Sequence, residues 1–126
     1  IVGTPVSATF EYDANAYMVK QTTSINNVTS VFTSTIKDGN VSATNNNSGS
    51  GNELTNFEYF SDQRNTIGNL NMGYTFAGKQ NVNLEKSSTN NGVVTNFAYE
   101  FDAKNRVSKK KATTNNVTTF TSYTYY

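Results

Sequence analysis

Short turn signals carrying Asn, Asp or Gly punctuate this chain at Asp13 to Asn15, Asn26-Asn27, Asp38-Gly39-Asn40, Asn90-Asn91-Gly92, Asp102 to Asn105 and Asn115-Asn116. Gly takes positive φ freely and Asn and Asp tolerate it, which is what the tight primed turns between antiparallel strands require. Between these marks the chain alternates, as in Phe10-Glu11-Tyr12, Phe57-Glu58-Tyr59, Phe97-Ala98-Tyr99-Glu100-Phe101 and Val117-Thr118-Thr119-Phe120. A period of two sets the aromatic side chains on one face and leaves Glu11, Glu58 and Glu100 on the other, in solvent. The pattern predicts strands near 6–12, 17–25, 28–36, 54–60, 72–77, 80–88, 93–101, 106–114 and 117–125, with a further short one at 41–44.

Two stretches break the alternation. Asn45 to Asn52, all Asn, Ser and Gly, has nothing to bury and is predicted as a flexible surface loop. Ser61 to Asn71 is predicted to hold a short helical turn capped by Ser61 or Asp62.

At 126 residues the chain has room for one domain, spanning 1–126. Asn, Thr and Ser make up about two fifths of it, yet eight Tyr, eight Phe and a net charge of only +1 argue for a folded protein rather than a disordered one. Thr, Tyr, Phe and Val suit a pleated, half-buried surface. The near-neutral balance gives no reason to expect nucleic acid, which needs clustered Lys and Arg. The one basic run, Lys109 to Lys111, is expected to place charge at a sheet edge, where it discourages edge-to-edge association. No apolar stretch approaches the ~20 residues of a membrane helix. The chain opens at Ile1 rather than Met, so the expectation is a processed or truncated chain with a signal peptide or lipid anchor upstream.

An internal repeat runs through the sequence. Sliding the chain by 89 residues without a gap lays Phe10-Glu11-Tyr12-Asp13-Ala14 over Tyr99-Glu100-Phe101-Asp102-Ala103, Lys20 over Lys109, Asn26-Asn27-Val28-Thr29 over Asn115-Asn116-Val117-Thr118, and Thr35 over Thr124. The repeated segments are 10–36 and 99–125, and Asp13 and Asp102 become equivalent structural turn residues. Hairpins are marginal until neighbours cover their apolar faces. The fold class is therefore all-β, an antiparallel meander of repeated hairpins forming a strongly curved sheet, half-barrel or barrel-like sandwich.

The aromatic-Asp units at Phe10 to Asp13 and Tyr99 to Asp102, the second with Asn105-Arg106-Val107, resemble in miniature the YD repeats of Rhs-type surface proteins. The run Arg64-Asn65-Thr66-Ile67-Gly68-Asn69-Leu70-Asn71-Met72-Gly73-Tyr74, then Gly78-Lys79-Gln80, Asn83-Leu84 and the Tyr99 to Asp102 unit, resembles the DUF4595 family, envelope lipoproteins of Bacteroidota with a porin-like fold. The likeness covers residues 54–126 and, more loosely, the first third. It implies a cell-envelope location, at the outer membrane surface or in the periplasm, with attachment through a lipid anchor not present in this chain. Ala103-Lys104-Asn105 stands where such turns usually carry Gly, a departure that Asn105 tolerates by taking positive φ. The chain also holds no lipobox cysteine, and no catalytic residues come with the resemblance.

The absence of His and Cys removes the Ser-His-Asp and Cys-His triads, disulfides, thiolate and imidazole metal sites and the usual base near neutral pH. The carboxylate pairs Glu11/Asp13, Glu58/Asp62 and Glu100/Asp102 could in principle serve a glycosidase. Asp13 and Asp102 sit where turns need an Asx side chain, however, and the glutamates alternate with core aromatics. The Asx clusters at Asp13 to Asn15 and Asp38 to Asn40 lack Ca²⁺-loop spacing. Gly49 and Gly51 lack a strand-loop-helix context for phosphate. No enzyme, no cofactor and no metal are expected.

Most of the tyrosines are read as core and cross-strand pairs. Tyr123, Tyr125 and Tyr126 are the candidate partner or glycan surface, because alternation puts aromatics on both faces there. The expected function is a structural or accessory subunit of an outer-membrane or surface complex, its partner another envelope protein, with a carbohydrate-binding or adhesive module as the alternative. A small transmembrane β-barrel stands third, because the outward positions are Thr, Ser, Asn and Lys rather than an apolar band ~25 Å tall.

Overall fold

A computed structural model describes residues 6–67 and 78–126. They form nine strands: β1 (Val6–Tyr12), β2 (Met18–Ile25), β3 (Val28–Lys37), β4 (Asn40–Ser48), β5 (Gly51–Arg64), β6 (Asn83–Asn90), β7 (Val93–Phe101), β8 (Val107–Thr114) and β9 (Val117–Ser122). All nine lie in one antiparallel sheet in chain order, a meander. β1 and β9 are the two ends of that order and do not pair with each other, so these strands form an open sheet rather than a closed barrel.

Turn chemistry sets the connections. Asn26-Asn27, Asp38-Gly39, Asn91-Gly92 and Asn115-Asn116 each hold positive φ at both central residues, the primed geometry that matches strand twist. Asp13 and Asp102 build a second kind of turn. The N–H groups of Asn15 and Tyr17 donate to Asp13 Oδ1 at 2.9 Å each, and those of Lys104 and Arg106 donate to Asp102 Oδ1 at 2.9 Å each. Ala16 and Asn105 close these turns at φ 67° and 59°.

Bulges recur in step with the hairpins. The register shifts at Glu11/Tyr12, Thr35/Ile36, Glu58/Tyr59 and Glu100/Phe101, leaving one extra residue in each even strand: Val19, Ser42, Lys86 and Ser108. All four lie toward the same end of the sheet, and each increases the local twist there.

That end is laced by residues 65–67 and 78–82. Tyr17 bridges to Gly78, the Lys79 N–H donates to Ala16 O at 2.9 Å, and the Val82 N–H donates to Gly39 O at 3.1 Å. Asn40 and Asn83 clasp reciprocally, Asn40 Nδ2 donating to Asn83 Oδ1 at 3.0 Å and the Asn83 N–H to Asn40 Oδ1 at 2.9 Å. The Val41 N–H donates to Asn81 Oδ1 at 2.7 Å and the Val107 N–H to Thr66 Oγ1 at 3.0 Å. Of the described residues only Tyr17, Leu84, Val107, Asn40 and Ser87 are buried, and they gather toward this end. A single sheet cannot enclose its own side chains, so burial is complete only where chain folds across it.

Several sequence expectations change. Asn45 to Asn52 is strand, turn and strand rather than a loop: Asn45, Asn46, Asn47 and Ser48 pair with Leu54, Glu53, Asn52 and Gly51. Backbone pairing to β3 and β5 on either side satisfies this segment without apolar side chains. Residues 61–64 of the predicted helical turn belong to β5, and Asn65 begins an Asx turn by accepting the Ile67 N–H at 3.1 Å. The rest of that turn and the predicted strand 72–77 lie outside the described residues. Lys109 to Lys111 sit in β8, which is paired to β7 and β9, so they are not at the sheet edge.

Candidate interaction surface

Register across the sheet fixes which side chains share a face. Phe10, Gln21, Phe32 and Asn46 form one cross-strand row; Phe57 lies opposite Ser88, Phe97 opposite Ala112 and Tyr99 opposite Lys110. Alternation thereby collects Phe10, Phe32, Phe57, Tyr59, Phe97 and Tyr99 on one face. Along the regular parts of the strands this aromatic face carries only Glu53, Glu85 and Lys110 as charges. Glu11, Lys20, Lys37, Glu58, Glu100, Lys109 and Lys111 fall on the opposite face.

Local contacts hold the aromatics in place. Tyr59 Oη donates to Val41 O at 2.6 Å and Tyr99 Oη to Glu85 O at 2.9 Å. Phe60 meets Tyr99 edge-on, with ring centroids 6.4 Å apart, and Lys110 Nζ lies 4.2 Å over the Phe97 ring. Burial, reinforced by the Glu85 carboxylate, pushes both the Tyr59 and Tyr99 hydroxyls well above their ordinary value of 10.0. The Tyr123 hydroxyl is also raised, by burial first and then by Tyr125.

The aromatic face is nonetheless half-exposed at all six positions. In a two-layer fold the inner face of a sheet is covered by the opposing layer, and no second layer is present among the described residues. The chain exposes 8789 Å², against about 6600 Å² expected of a folded monomer of its mass. Val6, Ile25, Val28, Val93 and Val117 extend the apolar surface along the tight-turn end of the same face, all well exposed. A cleft of about 280 Å³ opens beside Phe32, lined also by Gln21, Thr23, Ser30 and Asn46. A second, of about 300 Å³, lies at the laced end among Arg64, Thr66, Phe101, Lys104, Asn105 and Arg106.

The three C-terminal tyrosines differ in contacts and exposure. Tyr125 is a brace: its hydroxyl donates to Val107 O at 2.7 Å and its ring lies under the Arg106 guanidinium, 4.4 Å away. Tyr123 is half-buried, with its N–H donating to Ser108 O at 3.0 Å, and only Tyr126 is fully exposed. Alternation alone does not register that the tail follows β8 past the end of β9. Nor does it single out Phe32, which stands in a Thr and Ser run without aromatic neighbours at period two.

Of the candidate carboxylates, Asp62 and Glu100 lie exposed. Glu11 forms an exposed ion pair with Lys20 at 2.8 Å, and Glu58 accepts the Ser87 hydroxyl at 3.2 Å. Asp102 is held below the usual carboxylate range by the Arg106 N–H and then by the Arg106 side chain, whose Nη2 lies 2.8 Å from Oδ2. Among the described residues no group of three Asp or Glu side chains gathers as a metal site would need.

No protein-family model matches the chain, and no curated protein matches it. Among solved structures, the crystal structure of a porin-like protein from Bacteroides uniformis aligns over 96% of this chain and 89% of its own, at 13% identity and a TM-score of 0.29. A superposition at that level says nothing about function.

Proposed function

We propose that this protein is a non-catalytic cell-envelope protein, a structural or accessory subunit that docks to an outer-membrane or surface complex through its aromatic sheet face. The observation that carries this reading is the row of half-exposed aromatics from Phe10 to Tyr99 on a face nearly without charge. Interface cores are rich in Phe and Tyr and poor in charge, and covering these rings is the gain that docking supplies. The envelope setting rests on the resemblance of residues 54–126 to DUF4595 lipoproteins. What supports a non-catalytic reading is the lack of His and Cys, together with a structural partner or solvent for each candidate carboxylate.

A photo-reactive residue placed in the native host at Phe32, Phe57 or Phe97 should yield one discrete cross-linked species. The same residue at Thr22 or Thr33, on the opposite face, should not. Equal labelling from both faces, or none from either, would rule the reading out.

The carbohydrate-binding alternative is favoured by the cleft beside Phe32, where an aromatic ring stands among the amides of Gln21 and Asn46 and the hydroxyls of Thr23 and Ser30. Glycan-array binding that disappears in Phe32→Ala would support it, and binding unchanged by that substitution would count against it.

A further inference from the structure

Open strands in soluble proteins are normally blunted by lysine, proline, a bulge or shortness. β9 has none of the first three: it reads Val-Thr-Thr-Phe-Thr-Ser, with every residue exposed, and its register with β8 runs unbroken from Thr114↔Val117 to Lys109↔Ser122. In a two-residue hairpin the closing pair, here Thr114 and Val117, exchanges hydrogen bonds, so odd-numbered residues of β9 aim their backbone groups at β8. The Tyr123 N–H donating to Ser108 O carries the same parity one step further. The backbone N–H and C=O groups of Thr118, Phe120 and Ser122 therefore point away from the sheet, forming a template for another strand.

We propose that a second copy of this chain pairs at β9, antiparallel, about a two-fold axis at Phe120, joining the two nine-stranded sheets into one. A two-fold normal to the sheet keeps like faces on the same side. It sets Phe120 opposite Phe120, Thr118 opposite Ser122, Thr119 opposite Thr121 and Val117 opposite Tyr123. Each pair formed is aromatic, β-branched or hydroxyl-bearing, the kinds that stabilise neighbouring strands, and none brings like charges together. Phe120 and Val117, now 61% and 66% exposed, are covered in the joint. Lys109 Nζ, 5.0 Å over the Phe120 ring, keeps its charge at the solvent side of the aromatic pair. The contact is isologous, so it closes at two copies rather than extending into a fibre. This self-matching about one residue favours a second copy over an unrelated strand. The joint forms through the backbone edge of β9 and shares only Val117 with the aromatic face, so the two readings are tested separately.

Sedimentation of the purified chain over the micromolar range should show a monomer–dimer equilibrium. Phe120→Pro deletes only an outward N–H and leaves the β8–β9 ladder intact, so it should weaken the dimer about tenfold or more, while Phe120→Val, which keeps the donor, should weaken it less. Should Phe120→Pro not fold, the double variant Thr118→Lys/Ser122→Lys replaces it, because it sets lysines opposite one another across the axis. The chain has no cysteine, so single substitutions report the register directly. Phe120→Cys places its two Cα atoms about 5.5 Å apart, within disulfide reach, and should link on mild oxidation. Thr118→Cys and Ser122→Cys should link only when the two variants are mixed. A chain that stays monomeric, a dimer indifferent to Phe120→Pro or its replacement, or efficient linking of Thr118→Cys with itself would each overturn the proposal.

Discussion

Asp13 and Asp102, 89 positions apart, hold the same turn: the Oδ1 of each accepts N–H bonds from the residues two and four positions later, all four at 2.9 Å. Each also donates its own N–H to the carbonyl four residues on, at 2.9 Å from Asp13 to Tyr17 and 2.8 Å from Asp102 to Arg106. Position and hydrogen-bond pattern thus coincide wherever the aromatic-Asp motif occurs in the chain.

Removing one acceptor should expose its weight. Asp13→Ala leaves the N–H groups of Asn15 and Tyr17 without this partner and should cost about 2 kcal/mol in urea unfolding. Asp13→Asn keeps an oxygen in place and should recover most of that. Equal losses in the two variants would mean that the carboxylate charge, not the acceptor geometry, holds the turn.

Acid should act through Asp102. Its carboxyl is depressed below 3.8 in the folded state, so its stabilising contribution is complete above that value and fades as pH falls below it. The melting temperature of the native chain should therefore drop more steeply below about pH 4 than that of Asp102→Asn. Parallel curves would show that Asp102 adds nothing to acid sensitivity.

Alkali should act through Tyr59 and Tyr99. Their folded hydroxyls titrate above 10.0, so the stability they add is full below that value and is lost as pH rises past it. Tyr59→Phe should lose about 1 kcal/mol at neutral pH, because the Val41 carbonyl loses its donor. Above about pH 10 the variant should then decline less steeply than the native chain in urea midpoints, since one titrating group is gone.

Asn40 is buried and bonded twice to Asn83. Asn40→Ala should cost about 3 kcal/mol and loosen the laced end selectively. Hydrogen exchange should show Val82 and Asn83 losing protection while the Asn115-Asn116 hairpin is unchanged. Uniform loss of protection would indicate that the lacing and the hairpins unfold as one unit.

Two glycines with nearly equal φ separate strain from crowding. At Gly92, φ 77°, an added Cβ meets nothing within 4 Å, so Gly92→Ala should cost about 1 kcal/mol from backbone conformation alone. At Gly39, φ 76°, the Cβ would stand 2.7 Å from Val82 Cγ2, and Gly39→Ala should cost about 3 kcal/mol. Thermal melts of the two variants should differ accordingly.

Much of the fold was legible because its causes are local. Asn26-Asn27 and Asn115-Asn116 make primed turns through their own φ preferences, and Phe97-Ala98-Tyr99-Glu100-Phe101 sorts its faces by period two whatever lies beside it. The run from Asn45 to Ser48 could not be read this way. Nothing in an Asn and Ser run favours a strand, and it becomes one because β3 and β5 flank it with open hydrogen-bonding groups. Lys109 to Lys111 have the composition of edge protection, but β7 and β9 flank them on both sides, and the composition of the run does not register its neighbours.

The sequence by itself determined the hairpins, the Asp turns and the aromatic face, since each depends on residues within a few positions of one another. Tertiary structure decided which tyrosines are tied down, where the few buried residues among those described lie and which strands form the two edges. Tyr125 reaches back 18 positions to Val107, Asn40 pairs with Asn83 over 43, and Val107 finds Thr66 over 41. Such contacts exist only once a meander has stacked distant strands side by side and carried chain across their ends, an outcome of spatial closure that no local pattern encodes.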